Sequence, residues 1–364
     1  MKVKYIDLSR QWDEIRPEAL NLIDQVLSSG KYLDHPIIEE LELNLSNFLG
    51  VKGVCVLNSC TDSLVFSMSC LGIKKGDEVI TVPNSFIASV STIIHIGAVP
   101  KFVDVDETHL MDISKIEKLI TAKTKAIMPV HLEGKVVNMP EINKIAKDYN
   151  LLVIEDAAQA FGSKYGRSFA GTTSDAGCFS FHPLKNLNGL GDGGFVASNN
   201  MNLINKIKAL RNHGQVSRNN SDFFGFVSRM DSIQAVVINY KLQKFNGVLE
   251  KRKFLASHYD SRLREFVKIP RIDSKVSHTY HLYVIEVKNR DELAKFLLEK
   301  GIETKVHYPN LITNQKAFLN LGILAPDIRN AELQSKLILS LPIHQHLTLD
   351  QINYVCDSII EFLR

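Results

Sequence analysis

The first half of the chain alternates short apolar runs with helical stretches, and this alternation limits the possible folds more than any other feature. Runs rich in β-branched residues cover 78–82, 100–105, 125–132 and 151–158. Helical periodicity lies between them, as over 62–71, which Gly72 ends, and over 140–149, which begins with Pro140. Strands that alternate with helices predict right-handed βαβ units and a mostly parallel sheet. An uninterrupted apolar run such as 151–154 indicates a sheet that is buried on both faces.

Beyond about residue 200 the pattern changes to one of longer helices and isolated strands. Helices are predicted over 201–213, 229–265 and 290–301, and strands over 280–287 and 303–308. We therefore predict a large domain over 1–245 and a small C-terminal α+β domain over 246–364. The first 30 residues are expected to pack beside the small domain or across a partner subunit.

The charge balance excludes several classes of partner. The chain has 364 residues and a net charge of +3, so it lacks the excess basicity of a protein that binds nucleic acid or a membrane surface. The basic run 251–253 is interpreted as a solvated helix face. The five cysteines show no CxxC pair and no metal-ligand spacing, and no apolar segment resembles a signal peptide or a membrane span. A cytoplasmic location and no metal site are expected.

Several polar residues fall where predicted strands end. In an open parallel sheet, ligands collect outside the carboxyl ends of the strands. Asp156 follows the apolar run LLVIE, and Ser180 and Lys185 lie on either side of the end of CFSF. Thr61 and Asp62 open a predicted helix, where free N–H groups favour an anion. Taken singly, Asp156 is equally well explained as a helix cap, and Lys185 as a surface lysine.

Together these residues supply the parts that a pyridoxal phosphate (PLP) enzyme needs. A helix start would hold the phosphate, and an acid would keep the pyridine nitrogen protonated so that the ring acts as an electron sink. A lysine about thirty residues further along would form the Schiff base and move the proton between carbons. The glycines after Lys185 would let the backbone turn sharply beside it.

A series of motifs then points to one family. They are SCTDSL, GIKKGDEVITVPNSFIAS, VHLEGKVVNM, VIEDAAQAFGSKYG, FSFHPLKNLNGLGDGG, SRMDSIQA, ETKVHYP and LSLPIH. In these stretches, which span nearly the whole chain, the sequence resembles the sugar aminotransferases of the DegT/StrS type. The resemblance implies the α/β architecture of fold-type I PLP enzymes: a large domain with a mostly parallel seven-stranded sheet flanked by helices, and a smaller C-terminal α+β domain.

The resemblance also implies roles for individual residues. Lys185 would be the Schiff-base lysine and Asp156 the partner of the pyridine nitrogen. Gln159 would lie near the phenolic oxygen of the cofactor, and Phe86 would stack on its ring, although without the family Phe86 is better explained as ordinary core. The phosphate would be held by Ser180, Cys60, Thr61 and Asp62. Candidates for substrate contacts are Asn186, Arg229, His307 and Tyr308.

For the reaction, the resemblance implies amino transfer from L-glutamate to a keto group of a nucleotide-linked deoxysugar. The cofactor would pass through its pyridoxamine phosphate form, and the active sites would be shared across a homodimer. The stretch KNLNGLGDGG is more similar to relatives that aminate C3 of the sugar than to those that aminate C4. Amino-sugar and lipopolysaccharide biosynthesis are the expected settings.

Two other functions stay open. The first is a sugar dehydratase of the same family that uses pyridoxamine phosphate, but those relatives carry histidine in place of the lysine at Lys185. The second is a regulatory or binding protein that keeps the fold without activity, although such a homologue would be free to lose the catalytic set.

The chain departs from the usual family pattern at several positions. Cys60 replaces a common glycine and would narrow the phosphate loop. Val227 stands where many relatives have an asparagine that reaches the partner's phosphate, so that contact is expected to be lost or replaced. Changes at His35, Phe161 and Glu133 are expected to reshape the substrate pocket.

Overall fold

The computed structural model describes residues 1–323 and 327–364. Its strands, numbered in chain order, are β1 (Gly53–Leu57), β2 (Glu78–Thr81), β3 (Val99–Phe102), β4 (Thr124–Ile127), β5 (Leu152–Asp156), β6 (Lys164–Tyr165), β7 (Ser168–Phe169), β8 (Ala176–Ser180), β9 (Gly194–Ser198), β10 (Gln215–Ser217), β11 (Asn220–Ser221), β12 (Val276–Ser277), β13 (Tyr283–Glu286) and β14 (Ile338–Leu341).

The helices are α1 (Leu8–Ser28), α2 (Ile37–Leu49), α3 (Cys60–Cys70), α4 (Ala88–His95), α5 (Met139–Asp148), α6 (Met201–Leu210), α7 (Ser232–Gln243), α8 (Phe245–Leu263), α9 (Arg290–Glu299), α10 (Lys316–Leu319), α11 (Arg329–Leu337) and α12 (Leu349–Leu363). Short 3-10 helices lie at Ile113–Lys115, Glu117–Leu119, Leu132–Gly134 and Ile312–Asn314.

A seven-stranded sheet forms the centre of the fold, in the order β1-β9-β8-β5-β4-β2-β3. Its strands run parallel except β9, which lies antiparallel to both of its neighbours, β1 and β8. Every residue of β1 and of β9 is buried, as expected for a sheet that is covered on both faces. The prediction of a mostly parallel seven-stranded sheet flanked by helices is confirmed.

One predicted strand is wrong. Residues 303–308 form no strand, and their only ladder pairing in the described chain is a single bridge between Lys305 and Ser340 of β14. The alternation of apolar and polar residues in this segment suggested a strand, but the chain bends at His307 instead of continuing along β14. The other strand predicted in this part of the chain is present as β13.

A second hydrophobic cluster joins the C-terminal elements. Side chains of α8, α9 and α12 pack there on β13 and β14, and Val3 from the beginning of the chain is buried among them. Val3 also pairs with Ile302 in a parallel bridge. Helix α8 enters both clusters, because Leu249 belongs to the core around the sheet and Leu255 to the C-terminal one. The domain boundary at 245/246 stays a prediction.

Within the described part of the chain, no helix combines the length and the apolar character needed to cross a membrane.

Candidate active site

A cavity of about 370 Å³ lies at the carboxyl ends of β5 and β8, where Asp156 ends one strand and Ser180 the other. This is the edge at which a parallel sheet is expected to bind ligands. The predicted site residues that line the cavity are Cys60, Thr61, Phe86, Asp156, Gln159, Ser180, Lys185, His307 and Tyr308. Three others, Asp62, Asn186 and Arg229, do not line it.

Asp156 is buried, and both of its carboxylate oxygens are held. Ser89 on α4 donates its hydroxyl to Oδ2 at 2.6 Å, and the backbone N–H of Ala158 donates to Oδ1 at 3.2 Å. The alternative that Asp156 caps a helix is wrong, because the described chain continues from β5 through turns into β6. The carboxylate is therefore fixed in one orientation at the cavity wall.

Lys185 lies in the turn that follows β8, and its backbone N–H donates to the carbonyl of His182 at 2.8 Å. Burial lowers the pKa of its amine, while the nearby Cys60 and Asp156 act in the opposite direction. A lowered pKa increases the neutral fraction of the amine, which is the form that attacks a carbonyl carbon. Lys185 is thus suited to act as a nucleophile and as a proton carrier.

The glycines after Lys185 allow β9 to approach the beginning of α3. A Cβ atom on Gly194 would lie 2.4 Å from the backbone nitrogen of Cys60 and 2.4 Å from the carbonyl carbon of Ser59. Only a residue without a side chain fits between these two backbone segments. Gly194 therefore sets the position of the α3 N-terminus at the cavity.

The N-terminus of α3 has features of an anion site. Ser59 caps the helix by accepting a hydrogen bond from the N–H of Asp62 at 3.1 Å. The N–H groups of Cys60 and Thr61, in the first turn, have no carbonyl partner within the helix. The helix dipole adds positive potential at this end. Asp62 itself does not line the cavity, and its N–H is already bonded to Ser59, so the predicted phosphate role of Asp62 is wrong for this cavity.

Gln159, Tyr308 and Phe86 form one wall of the cavity. The side-chain oxygen of Gln159 accepts from the N–H of Glu133 at 2.9 Å, and its amide donates to the Tyr308 hydroxyl at 3.1 Å. The ring of Phe86 lies 5.9 Å from that of Tyr308 and is 56% exposed. The explanation of Phe86 as an ordinary core residue is therefore wrong.

Asn186 and Arg229 occupy different surroundings. Asn186 donates to the carbonyl of Thr279 at 3.1 Å and lies 3.3 Å from Nδ1 of His281, so it supports the cavity wall rather than lining it. Arg229 is partly buried, and its Nε has no hydrogen-bond partner among the described residues. It lies two residues from Val227, which is 58% exposed.

The three unusual residues expected to reshape the pocket lie elsewhere in this chain, and that expectation is wrong for the cavity described here. Phe161 packs in an aromatic cluster, 5.0 Å from the ring of Phe48. His35 accepts the N–H of Ile37 at the beginning of α2, at 3.1 Å. Glu133 does not line the cavity.

Glu133 belongs to a buried ionic network. It pairs with Lys135 at 2.7 Å and with Nδ1 of His109 at 2.8 Å. His109 in turn lies 3.1 Å from Glu286, on β13. This network ties β13 to the loop that carries the backbone N–H bonded to Gln159.

Sequence reasoning missed Ser89 and Arg252. Ser89 lies 67 residues before its partner Asp156, so no short motif joins them. Arg252 is part of the basic run 251–253, but the solvated face inferred for that run is wrong at this position, because Arg252 is 3% exposed and lines the cavity. Arg252 lies on a helix that enters two hydrophobic cores, a property seen only in the structure.

A lysine and a held carboxylate at the edge of a mostly parallel sheet, next to a helix N-terminus, are the features of a PLP enzyme of fold type I. The sequence model of the DegT/DnrJ/EryC1/StrS aminotransferase family matches residues 13–360. The chain therefore belongs to that family, and it is an enzyme whose cofactor is PLP, with pyridoxamine phosphate as the alternate form.

Individual relatives match over their full lengths. The "pleiotropic regulatory protein" of Geobacillus stearothermophilus is 36% identical, with 100% of this chain and 99% of the relative covered. The UDP-2-acetamido-2-deoxy-3-oxo-D-glucuronate aminotransferase of Pseudomonas aeruginosa is 34% identical over 98% and 99% of the two chains. The crystal structure of S. venezuelae DesV in complex with a ketimine intermediate matches with a TM-score of 0.97 at 34% identity, covering 100% and 99%.

Proposed function

We propose that the protein transfers an amino group from L-glutamate to the keto group of a nucleotide-linked deoxysugar, at C3 in preference to C4. The observation that carries this proposal is the meeting of Lys185, Asp156 and the α3 N-terminus in one cavity. The printed name of the Pseudomonas aeruginosa relative, which acts on a 3-oxo sugar nucleotide, supports the substrate class. The KNLNGLGDGG stretch favours C3.

The residues present fit PLP. The first-turn N–H groups of α3 and the hydroxyl of Ser180 suit a phosphate, and Gly194 keeps the approach to them free of a side chain. Asp156 supplies a fixed carboxylate for a pyridinium N–H. When bound, PLP supplies an aldehyde for the amine and a conjugated ring that accepts an electron pair.

Asp156 holds the proton at the ring nitrogen. Its two oxygens are oriented by Ser89 and by the N–H of Ala158, so the carboxylate meets that proton without reorganisation. Gln159 and Tyr308 limit movement at the adjoining wall, because they are bonded to each other. Phe86, exposed at the cavity, would cover one face of a bound ring.

Lys185 removes the proton from the carbon that bears the donor's amine and later delivers a proton to the acceptor carbon. Its lowered pKa keeps a larger fraction of the amine neutral and ready to accept that proton. The same residue serves both half-reactions, because donor and acceptor occupy the cavity in turn. His307 and Tyr308 are positioned to contact either substrate.

We propose that two chains share their active sites. The segment before Arg229 exposes apolar side chains on the isolated chain: Phe223, Phe224, Phe226 and Val227. A second copy that covers them would bury this surface and would bring Arg229 toward the partner's cavity. A cytoplasmic location and a product destined for a glycan such as lipopolysaccharide remain predictions from the sequence.

The other two functions are less well supported. A dehydratase of this family would carry histidine where this chain has Lys185. The name of the Geobacillus stearothermophilus relative raises a regulatory role for that protein, but here the lysine and the held carboxylate are both present in one cavity.

The test is incubation with a panel of nucleotide-linked 3-keto and 4-keto sugars plus L-glutamate, followed by mass analysis. We expect one amino sugar and an equal amount of 2-oxoglutarate, with a 3-keto sugar preferred. Lys185→Ala serves as the inactive control. Release of 2-oxoglutarate without any aminated sugar would reject the sugar acceptor, and amination of only the 4-keto sugars would reject the C3 assignment.

A further inference from the structure

Arg252 on α8 is a buried cation without an ionic partner in the described chain. Its Nη1 donates to the carbonyls of Tyr280 at 2.8 Å and of Ile343 at 2.9 Å, and its Nε has no hydrogen-bond partner. An arginine that is 3% exposed is expected to pair with an anion, because an isolated buried charge is costly. Burial lowers its pKa to about 10, which still leaves it protonated at neutral pH.

A second unpartnered donor lies at the same end of the cavity. The hydroxyl of Tyr5 is buried and lies near the hydroxyl of Ser340, which contacts Nδ1 of His307 at 3.0 Å. It completes no hydrogen bond of good geometry with a described residue, and its ring stacks on that of His307 at 5.9 Å. The backbone N–H of Tyr5 donates to Glu303 at 3.0 Å, which fixes the N-terminal segment in this place. Tyr5 is near enough to Arg252 to affect its pKa. Both residues line the cavity.

The neighbouring groups leave the charge of Arg252 uncompensated. Burial lowers the pKa of His281, with Lys185 and Arg252 adding to the effect, and burial lowers the pKa of His307 to about 4. Both imidazoles are therefore neutral at pH 7. Of the acids that line the cavity, Asp156 is engaged by Ser89, and Asp192 forms no ion pair with Arg252.

We propose that Arg252 and Tyr5 bind a carboxylate of the amino donor, an inference that rests on the proposed function. The planar guanidinium matches a carboxylate, and the Tyr5 hydroxyl can donate to the same group. A single enclosed cation suits a small anion better than a nucleotide diphosphate. Of the two substrates, only glutamate necessarily carries carboxylates.

The principal test measures the two half-reactions separately in the PLP-loaded enzyme. In Arg252→Gln we expect the KM for glutamate to rise by about 10- to 150-fold, as for the loss of a hydrogen bond to a charged group. The reaction of the aminated enzyme with the keto-sugar should keep its rate. Arg264→Gln, which removes one exposed charge at the end of the same helix, is the matched control and should change neither.

Arg252 also donates to two backbone carbonyls, so Arg252→Gln can weaken the fold as well as carboxylate binding. Tyr5→Phe is therefore used as a second variant that tests binding without removing those bonds. The Tyr5 hydroxyl has only the weak contact with Ser340 to lose, so the melting temperature should stay nearly the same. We expect the KM for glutamate to rise several-fold nonetheless. Calorimetric titration of the PLP-loaded protein with glutarate, which has two carboxylates and no amine, should show the same weakening.

Three outcomes would overturn the proposal. One is an unchanged glutamate KM and glutarate affinity in both variants. Another is an equal loss in both half-reactions together with a lower melting temperature, which would make Arg252 a structural clamp only. The third is a defect confined to the keto-sugar half-reaction, which would place a sugar-nucleotide anion there. Failure of every sugar to react would reject the proposed acceptor but would leave the glutamate half-reaction and glutarate binding measurable.

Discussion

Replacing Ser89 with alanine tests whether the orientation of Asp156 matters for catalysis. The hydroxyl of Ser89 donates to Oδ2 of Asp156 at 2.6 Å, and the two residues are 1% and 5% exposed. Alanine fits the same space, so the fold should be kept. What is lost is one short hydrogen bond to a buried carboxylate, and Asp156 then depends on the single N–H of Ala158.

The structure sets the size of the expected effect. A hydrogen bond to a charged group contributes about 1.5–3 kcal/mol, which corresponds to about 10- to 150-fold in rate if the bond acts fully in the transition state. Asp156→Asn should be more severe, with a loss of several orders of magnitude, because an amide holds the pyridinium proton far less well. Ser89→Ala should therefore fall between wild type and Asp156→Asn.

The assay is the single-turnover rate of the glutamate half-reaction in protein saturated with PLP, measured beside the dissociation constant of the cofactor. Ser91→Ala is the matched control, because Ser91 lies on the same helix and its hydroxyl bonds, among the described residues, to the carbonyl of Ala88 alone, at 3.4 Å. We expect Ser91→Ala to match wild type. A Ser89→Ala rate within twofold of wild type would refute the positioning role, and an Asp156→Asn rate near wild type would refute the assignment of Asp156 itself.

Three further predictions follow from single residues. Lys185→Ala should abolish turnover and remove the visible absorbance of covalently bound cofactor, and activity near wild type would contradict its assignment. Val227→Asn should keep activity and slow cofactor dissociation modestly. The gain is at most that of one hydrogen bond to a charged group, about 1.5–3 kcal/mol, minus the cost of desolvating the new amide. Faster cofactor loss together with dissociation to monomers would show that Val227 only packs. Glu133→Gln should destabilise the fold by about 3–5 kcal/mol near pH 6, since it leaves Lys135 without its buried carboxylate and His109 with Glu286 alone. Although burial opposes both shifts, Lys135 and His109 lower the pKa of Glu133, and Glu133 raises the pKa of His109. The stabilisation from ionised Glu133 is therefore complete above the usual glutamate pKa and is lost on acidification. The stabilisation from protonated His109 is complete below about pH 6.5 and is lost as the pH rises through the raised pKa of His109. The melting temperatures of wild type and Glu133→Gln should therefore differ most between about pH 5 and 6.5.

The parts of the site that could be predicted from the sequence are those carried by local chain geometry. Asp156 and Ser180 end neighbouring strands, and the carboxyl ends of parallel strands meet at one edge whatever the remaining packing is. Gly194 must be small because two backbones meet there, and a glycine-rich run indicates such a contact directly. Lys185 was predictable because it lies between the end of an apolar strand, at Ser180, and the glycine-rich run that contains Gly194.

The parts that could not be predicted depend on contacts between distant segments. Ser89 is one of several serines near the beginning of α4, and only the three-dimensional placement of that helix selects it as the partner of Asp156. Phe161 and Glu133 were expected at the pocket because they differ from relatives. In the fold, Phe161 completes an aromatic cluster with Phe48, and Glu133 belongs to an ionic network. Apart from Lys135, which is two residues from Glu133, the partners are distant in sequence.

Arg252 shows why a run of basic residues cannot be assumed to form a solvated helix face. Three consecutive basic residues on a helix point in three directions about 100° apart, so they cannot all share one solvated face of a helix that is covered on more than one side. Helix α8 is covered in this way, since it packs into the core of the sheet at Leu249 and into the C-terminal core at Leu255. Arg252 lies between those two residues and faces the cavity at the junction of the cores. A buried arginine at this position lowers the free energy of unfolding unless an anion pairs with it. A bound carboxylate would remove that cost, so the packing of α8 favours carboxylate binding.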